Sequence, residues 1–250
     1  MNKGISAIIA GLIIITLSAC SNVSNQVNNQ TEASLPESDA VVTVSDTVIT
    51  ESDAAGTGTV IPTSEPDDVS DDSELSPLVS GKVVVEFDYK AQSGHASNQF
   101  AVWIEDAAGS LVKTLYATRY TAAGGYKNRP DSISLWVEKA ELASLEKTQI
   151  DAITGATPKS GALSYTWDLT DSNNNAIQSG EYTVFVEGSL RWKNKVLHCG
   201  NIVVGSSPAT VQADAEYIYE AAAGQPALTS NSPENAMIGT VTVQFIPDEN

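Results

Sequence analysis

Hydrophobic positions along the chain fall into three regimes. Residues 5–17 are an uninterrupted apolar stretch, relieved only by small or hydroxyl residues. From Ser21 to Leu78 there is no aromatic residue and no Lys or Arg, and apolar side chains are isolated among Ser, Thr, Asp, Glu and Asn. From Gly81 onward the chain alternates apolar and polar positions in short runs. Such alternation predicts half-buried strands.

Eight strands are predicted. Lys82–Tyr89 is the first and Gln99–Glu105 the second, with Phe100, Val102 and Ile104 on one face. Leu111–Tyr116 follows the turn Asp106-Ala-Ala-Gly109, so these two form a hairpin. Leu163, Tyr165 and Trp167 alternate in the next strand. A polar turn from Asp168 to Gly180 leads into Glu181–Leu190, with Tyr182, Val184 and Val186 opposite Thr183, Phe185 and Glu187. Val196–Val204, Thr210–Tyr219 and Met237–Ile246 complete the set. Between the strands, Ser132–Lys147 fits one helix with Asp131 as its N-cap and Leu135, Trp136, Lys139 and Leu142 at helical spacing. One sheet of this size would leave an apolar face open, so the expectation is a mainly β fold: an Ig-like antiparallel β-sandwich with one inserted helix over residues 81–250.

The first regime is an export signal. Lys3 supplies the positive end, and the apolar stretch is shorter than the ~20 residues of a membrane span. It ends in Leu17-Ser18-Ala19-Cys20, which resembles a bacterial lipoprotein signal. The resemblance implies a signal peptide over residues 1–19 and a lipidated Cys20, hence an extracytoplasmic chain anchored to the cell membrane or outer membrane. With Cys20 lipidated, the one other cysteine, Cys199, has no intrachain partner. The stretch 20–80 is expected to be a disordered tether: it has too little apolar surface to offset the ordering of its backbone.

Charge changes the picture less than its total suggests. The chain has 31 acids against 13 bases, a net charge of -18. That balance excludes a nucleic-acid partner. Twelve of the acids lie between Ser21 and Leu78; from Lys82 onward there are nineteen acids and twelve bases. The acidity belongs mainly to the tether.

Three stretches carry a family resemblance: Phe100–Leu115, Asp151-Ala-Ile-Thr-Gly-Ala-Thr157, and Tyr165-Thr-Trp-Asp-Leu-Thr-Asp171 through Gly180-Glu-Tyr182 to Val186-Glu187. Together they resemble the bacterial family of predicted periplasmic proteins called domain of unknown function 2271. The third stretch is also similar to the Ig-like module of flagellar hook-capping proteins, in architecture alone. The family resemblance implies an accessory part beside PepSY-type membrane proteins and the transferase that attaches FMN to exported proteins. The expected function is therefore a non-enzymatic docking module of a flavin- or PepSY-associated redox or iron-handling system. A direct flavin or metal carrier and a structural, adhesion-type module are the alternatives.

The candidate residues follow. Asp151, Thr154, Gly155, Ala156 and Thr157 match the start of the covalent FMN attachment motif. Lys159 stands at its acceptor position, where a hydroxyl would take the phosphodiester. No cofactor is therefore expected, with FMN as the alternative. Asp168, Asp171, Asn173 and Asn175 read as a polar turn rather than a calcium loop, because Ala176 and Tyr182 stand where Gly and Glu are needed. His198 and Cys199 are strand neighbours on opposite faces and do not form a metal pair; a buried Cys beside a partly exposed His is expected. No metal site and no catalytic residue is assigned. Arg191, Trp192 and Lys193, a basic-aromatic cluster on a hairpin tip, are the expected partner contact. Arg129, in a second basic run around Gly124-Gly125, joins them.

Overall fold

The computed structural model describes residues 78–94, 96–221 and 223–249. The signal segment, Cys20 and the acidic stretch to residue 77 lie outside them.

Ten strands form two sheets. One has the order β5 (Gly161–Trp167), β1 (Gly81–Tyr89), β10 (Thr242–Pro247), β8 (Ala209–Gln212). The other runs β4 (Thr154–Gly155), β3 (Leu111–Thr118), β2 (Ala96–Asp106), β6 (Gly180–Arg191), β7 (Asn194–Val204), β9 (Asp214–Ile218). Every pair is antiparallel except β3–β4. The expected β-sandwich is present. Its interior takes Val83, Val85 and Phe87 from β1, Phe100, Val102 and Ile104 from β2, and Val184 and Val186 from β6. These are the alternate positions that the apolar pattern marks. Burying each such side chain contributes roughly 1.5–3 kcal/mol.

Strands β2 and β6 do more than alternate. Ala101, Trp103 and Glu105 on the outward face of β2, and Phe185, Glu187 and Ser189 on that of β6, are as buried as the inward residues. A sheet buried on both faces needs a second cover. Residues 119–153 supply it, as α1 (Arg119–Ala122), α2 (Ser134–Lys139), α3 (Lys147–Ala152) and the turns between them. The single helix expected over 132–147 is thus replaced by short pieces. Asp131 is not its cap. The cap position is Ile133, in the left-handed region at φ 43°. The free N–H groups at this helix start are bonded by strand β6: Ile133 N–H to Ser189 Oγ at 2.8 Å, Leu135 and Trp136 N–H to the Glu187 carboxylate at 3.4 and 3.0 Å. A cap supplied from some fifty residues downstream leaves no local sequence signal.

The layer between sheet and helices is polar and closely paired. Lys195 lies 3.9 Å from Glu187 and donates to Ser134 Oγ at 2.8 Å. Glu105 accepts from the Trp103 indole at 2.7 Å and from Lys139 at 2.9 Å. The Trp136 indole donates to Thr114 Oγ1 at 3.0 Å, and Trp103 stacks on Phe185 with ring centroids 5.0 Å apart. Burial pushes the Glu187 carboxyl up, opposed by Lys195 and by the N–H groups at the start of α2.

Three further departures have physical causes. The strand expected over 210–219 is two strands in different sheets. Ala213 is the crossing point, its N–H bonded to Val241 O at 2.9 Å. The period-2 pattern runs straight through the switch, so nothing in it marks the crossing. The last strand starts at Thr242; Met237 and Ile238 end a 3-10 turn (Pro233–Ala236) and are wholly buried against the inner face. A Cβ at Gly188 would stand 2.8 Å from Met237 Cε and 3.0 Å from Ile238 Cγ1, so a larger residue there would force these side chains to shift. Finally, His198 is not partly exposed. It and Cys199 are both buried, because β7 is covered on both faces. Among the described residues neither His198 ring nitrogen has a hydrogen-bond partner, and burial lowers its pKa from 6.5 to about 4.

Two outcomes follow from this packing. Glu187→Ala strands the N–H groups at the start of α2 and the Lys195 ammonium; urea denaturation should show a loss of about 3 kcal/mol. Glu187→Gln keeps an acceptor and should lose less. His198 binds its proton more weakly folded than unfolded, so stability falls as pH drops from 6.5 to about 4. The full effect is about 3 kcal/mol and is absent above pH 6.5. Chemical denaturation across that range should show the slope, and His198→Met should flatten it.

Candidate functional site

The motif-like segment 151–157 is built into the architecture. Asp151 sits in the last turn of α3, its carboxylate 2.9 Å from Arg119. Ile153 O accepts the Ala117 N–H at 2.9 Å, and Thr154 and Gly155 then pair with Ala117 and Thr118 as β4. The Tyr116 hydroxyl donates to Ala156 O at 2.8 Å. Ser160 Oγ accepts the Ala91 N–H at 2.9 Å, and β5 begins at Gly161. Since β4 is an edge of one sheet and β5 an edge of the other, residues 156–160 form a strap joining the two sheets at one side.

The strap runs beside an aromatic cluster. Phe100 has ring centroids 5.2 Å from Tyr89 and 5.1 Å from Tyr116, and Tyr165 is 5.1 Å from Tyr116. Burial, with Tyr89 adding to it, pushes the Tyr116 hydroxyl up to about 12. Burial raises Tyr165 and Tyr89 as well. These phenols stay protonated at neutral pH; Tyr116 acts as a donor, and the Tyr89 hydroxyl is buried without a hydrogen-bond partner among the described residues. Gly155 is required for packing: a Cβ there would stand 2.7 Å from Tyr116 Cε2. Thr157 and Lys159 are exposed.

The structure brings the two basic loops together. Trp192 occupies the tight turn between β6 and β7 at φ 51°, and is exposed. Arg129 donates to its carbonyl at 3.5 Å and to Ser97 Oγ at 3.0 Å. The flanking charges have partners: Arg191 pairs with Glu234, and Lys193 lies 3.5 Å from Glu220. The exposed Trp192 side chain and the half-buried Arg129 guanidinium both stand at this corner.

The Asp168–Gly180 segment is a self-bonded turn. Asp171 accepts from the backbone N–H groups of Asn173 and Asn175 and from the Asn175 side chain, at 2.8 to 3.0 Å. Those bonds hold its carboxyl below the usual range, the Asn175 side chain first. Asp168 is engaged by Lys113 at 2.9 Å.

One feature escapes a strand-by-strand reading. A cleft of about 450 Å³ opens between α1, the turn 124–127 and α3. Arg119, Lys127, Lys147 and Asp151 stand on its walls, with Leu145 and Ile150 among its apolar lining. The Arg119–Arg129 basic run signals half of it; Lys147 joins only through the folding of α3.

The structural role of the motif has a direct check. Gly155→Ala should lower stability by about 1–3 kcal/mol through the clash with Tyr116, whereas Thr157→Ala, at an exposed position, should leave the urea midpoint unchanged.

Comparison with known proteins agrees with the resemblance carried by the three stretches. No curated protein and no solved structure matches the chain. The family model for predicted periplasmic protein, DUF2271, matches residues 80–220, from β1 to just beyond β9. With that match over more than half of its length, the chain belongs to the DUF2271 family of predicted periplasmic proteins.

Proposed function

We propose that this protein is a lipid-anchored, non-enzymatic docking module of an extracytoplasmic redox system, held to its membrane through Cys20. The family places the chain outside the cytoplasm. The single observation that carries the docking reading is the corner at Arg129 and Trp192. Two loops 63 residues apart are hydrogen-bonded to each other and present an exposed indole beside a guanidinium. Trp and Arg are the side chains that most often anchor protein interfaces. By the resemblance, the partner is a PepSY-type membrane protein.

The segment 151–157 supports docking over flavin carriage. Its backbone is used in joining the sheets, and Lys159 offers an amine where the attachment chemistry needs a hydroxyl. Co-expression with a flavin transferase tests this: the purified domain should be colourless and of unchanged mass. A covalent flavin would replace docking with carriage. Trp192→Ala with Arg129→Ala should abolish capture of the PepSY-type partner from solubilised membranes while leaving the urea midpoint unchanged. Equal capture by wild type and variant would reject this corner as the contact.

The anchor has its own test. The Cys20 sulfur forms either a thioether to lipid or a disulfide, not both, and Cys199, the chain's other cysteine, is not a free thiol in the structure. Mass spectrometry of the mature chain should find acyl groups on Cys20. A Cys20–Cys199 disulfide would overturn the anchoring.

A further inference from the structure

We propose that the cleft between α1 and α3 is a binding site for a small oxyanion, a phosphate or carboxylate carried on a compact apolar body. This does not rest on the docking reading; it concerns a different face, residues and ligand class.

The charge pattern carries the inference. The domain has nineteen acids and twelve bases. Among the described residues, Lys113, Lys139, Arg191, Lys193 and Lys195 lie beside carboxylates away from the cleft, whereas Lys82, Lys90, Arg129 and Lys159 do not, and none of these four lines the cleft. What distinguishes the cleft is convergence. Lys127 and Lys147 converge on one cavity, and among the described residues neither has a carboxylate within ion-pair distance. The one acid on the cleft wall, Asp151, is taken by Arg119 at 2.9 Å, which leaves the lining with an excess of positive charge. Cations gathered in a concave surface raise the local concentration of an anion.

The backbone is shaped to make this convergence. Gly124 adopts φ 111°, and a Cβ on Gly125 would stand 2.3 Å from Tyr120 O. The Gly-Gly pair therefore turns the chain more tightly than other residues allow. The turn brings Lys127 to the cleft, with its ammonium 5.8 Å from the Tyr126 ring centroid. Lys147 opens α3 on the other side. Between them Ala122, Leu142, Leu145 and Ile150 give an apolar lining. A volume of about 450 Å³ suits a small molecule rather than a peptide. Apolar walls with a few convergent charges require a ligand that has both parts: the oxyanion for the lysines and an apolar body for the floor.

Calorimetric titration of the mature chain with phenyl phosphate, benzoate and inorganic phosphate tests the site. Phenyl phosphate or benzoate should bind saturably at one site, more tightly than inorganic phosphate, and more weakly as salt rises. Lys127→Ala with Lys147→Ala should weaken binding by roughly tenfold or more. Both side chains are exposed, so the urea midpoint should hold. Lys82→Ala, on the far sheet, should leave binding unchanged. The proposal is overturned if neither organic anion binds, if the double variant binds as tightly as wild type, or if inorganic phosphate binds as tightly as phenyl phosphate.

Discussion

The carboxylate of Glu187 is the point on which the second cover of the six-stranded sheet depends. It lies on the outward face of β6, wholly buried, and meets the N–H groups that open α2. A buried carboxylate is costly unless it is paired and hydrogen-bonded. Here Lys195 and the start of α2 offset part of that cost, and burial still leaves the carboxyl raised. The dependence is mutual. A six-residue helix is too short to persist alone, and it exists where a strand supplies its cap. The helical layer is therefore a consequence of the sheet's outward face, more than of helix propensity in residues 132–147.

From that anchor the remaining features follow in chain order. Holding α2 against β6 leaves residues 140–153 to turn back toward β3, where Ile153 O meets the Ala117 N–H. The parallel pair β3–β4 and the strap to β5 come next, so the motif-like segment is placed by the same layer. The cleft is the space left between α1 and α3 as the layer closes. Sheet, strap and cleft are one construction.

The inward half of this fold is legible in the sequence, because its information is local. Val83, Val85 and Phe87, or Tyr182, Val184 and Val186, alternate without exception, and the Asp106–Gly109 turn marks its own hairpin. The outward half is not. Trp103, Glu105, Phe185 and Glu187 look like the solvent side of their strands until the partners from residues 114–139 are known. The helix signals at Asp131 and Leu135 are real, yet a cap from Glu187 outcompetes the local one, and left-handed backbone at Ile133 and Glu141 cuts the helix short. Alternation also survives the crossing at Ala213 in the sequence, where Val211, Ala213, Ala215 and Tyr217 continue it, although β9 is exposed along most of its length. For the candidate sites, the Arg129–Trp192 corner was legible as two separate basic runs; only the β6–β7 hairpin shows that they meet.

Electrostatics then separates what the residue types alone do not. A total of -18 describes a chain that repels anions, yet a ligand responds to the field at its own site, within a Debye length of about 8–10 Å. A charge beyond that distance is largely screened. Inside it, at the cleft, Arg119 neutralises Asp151, and Lys127 and Lys147 are what an entering group meets. The corner at Trp192 differs in kind. There Glu234 and Glu220 balance Arg191 and Lys193, so attraction rests on the indole face and on Arg129. Charge therefore divides the two surfaces by ligand. The balanced, aromatic corner suits a protein contact that excludes water, and the unbalanced cleft suits a small anion whose own charge completes the pairing that the chain leaves open.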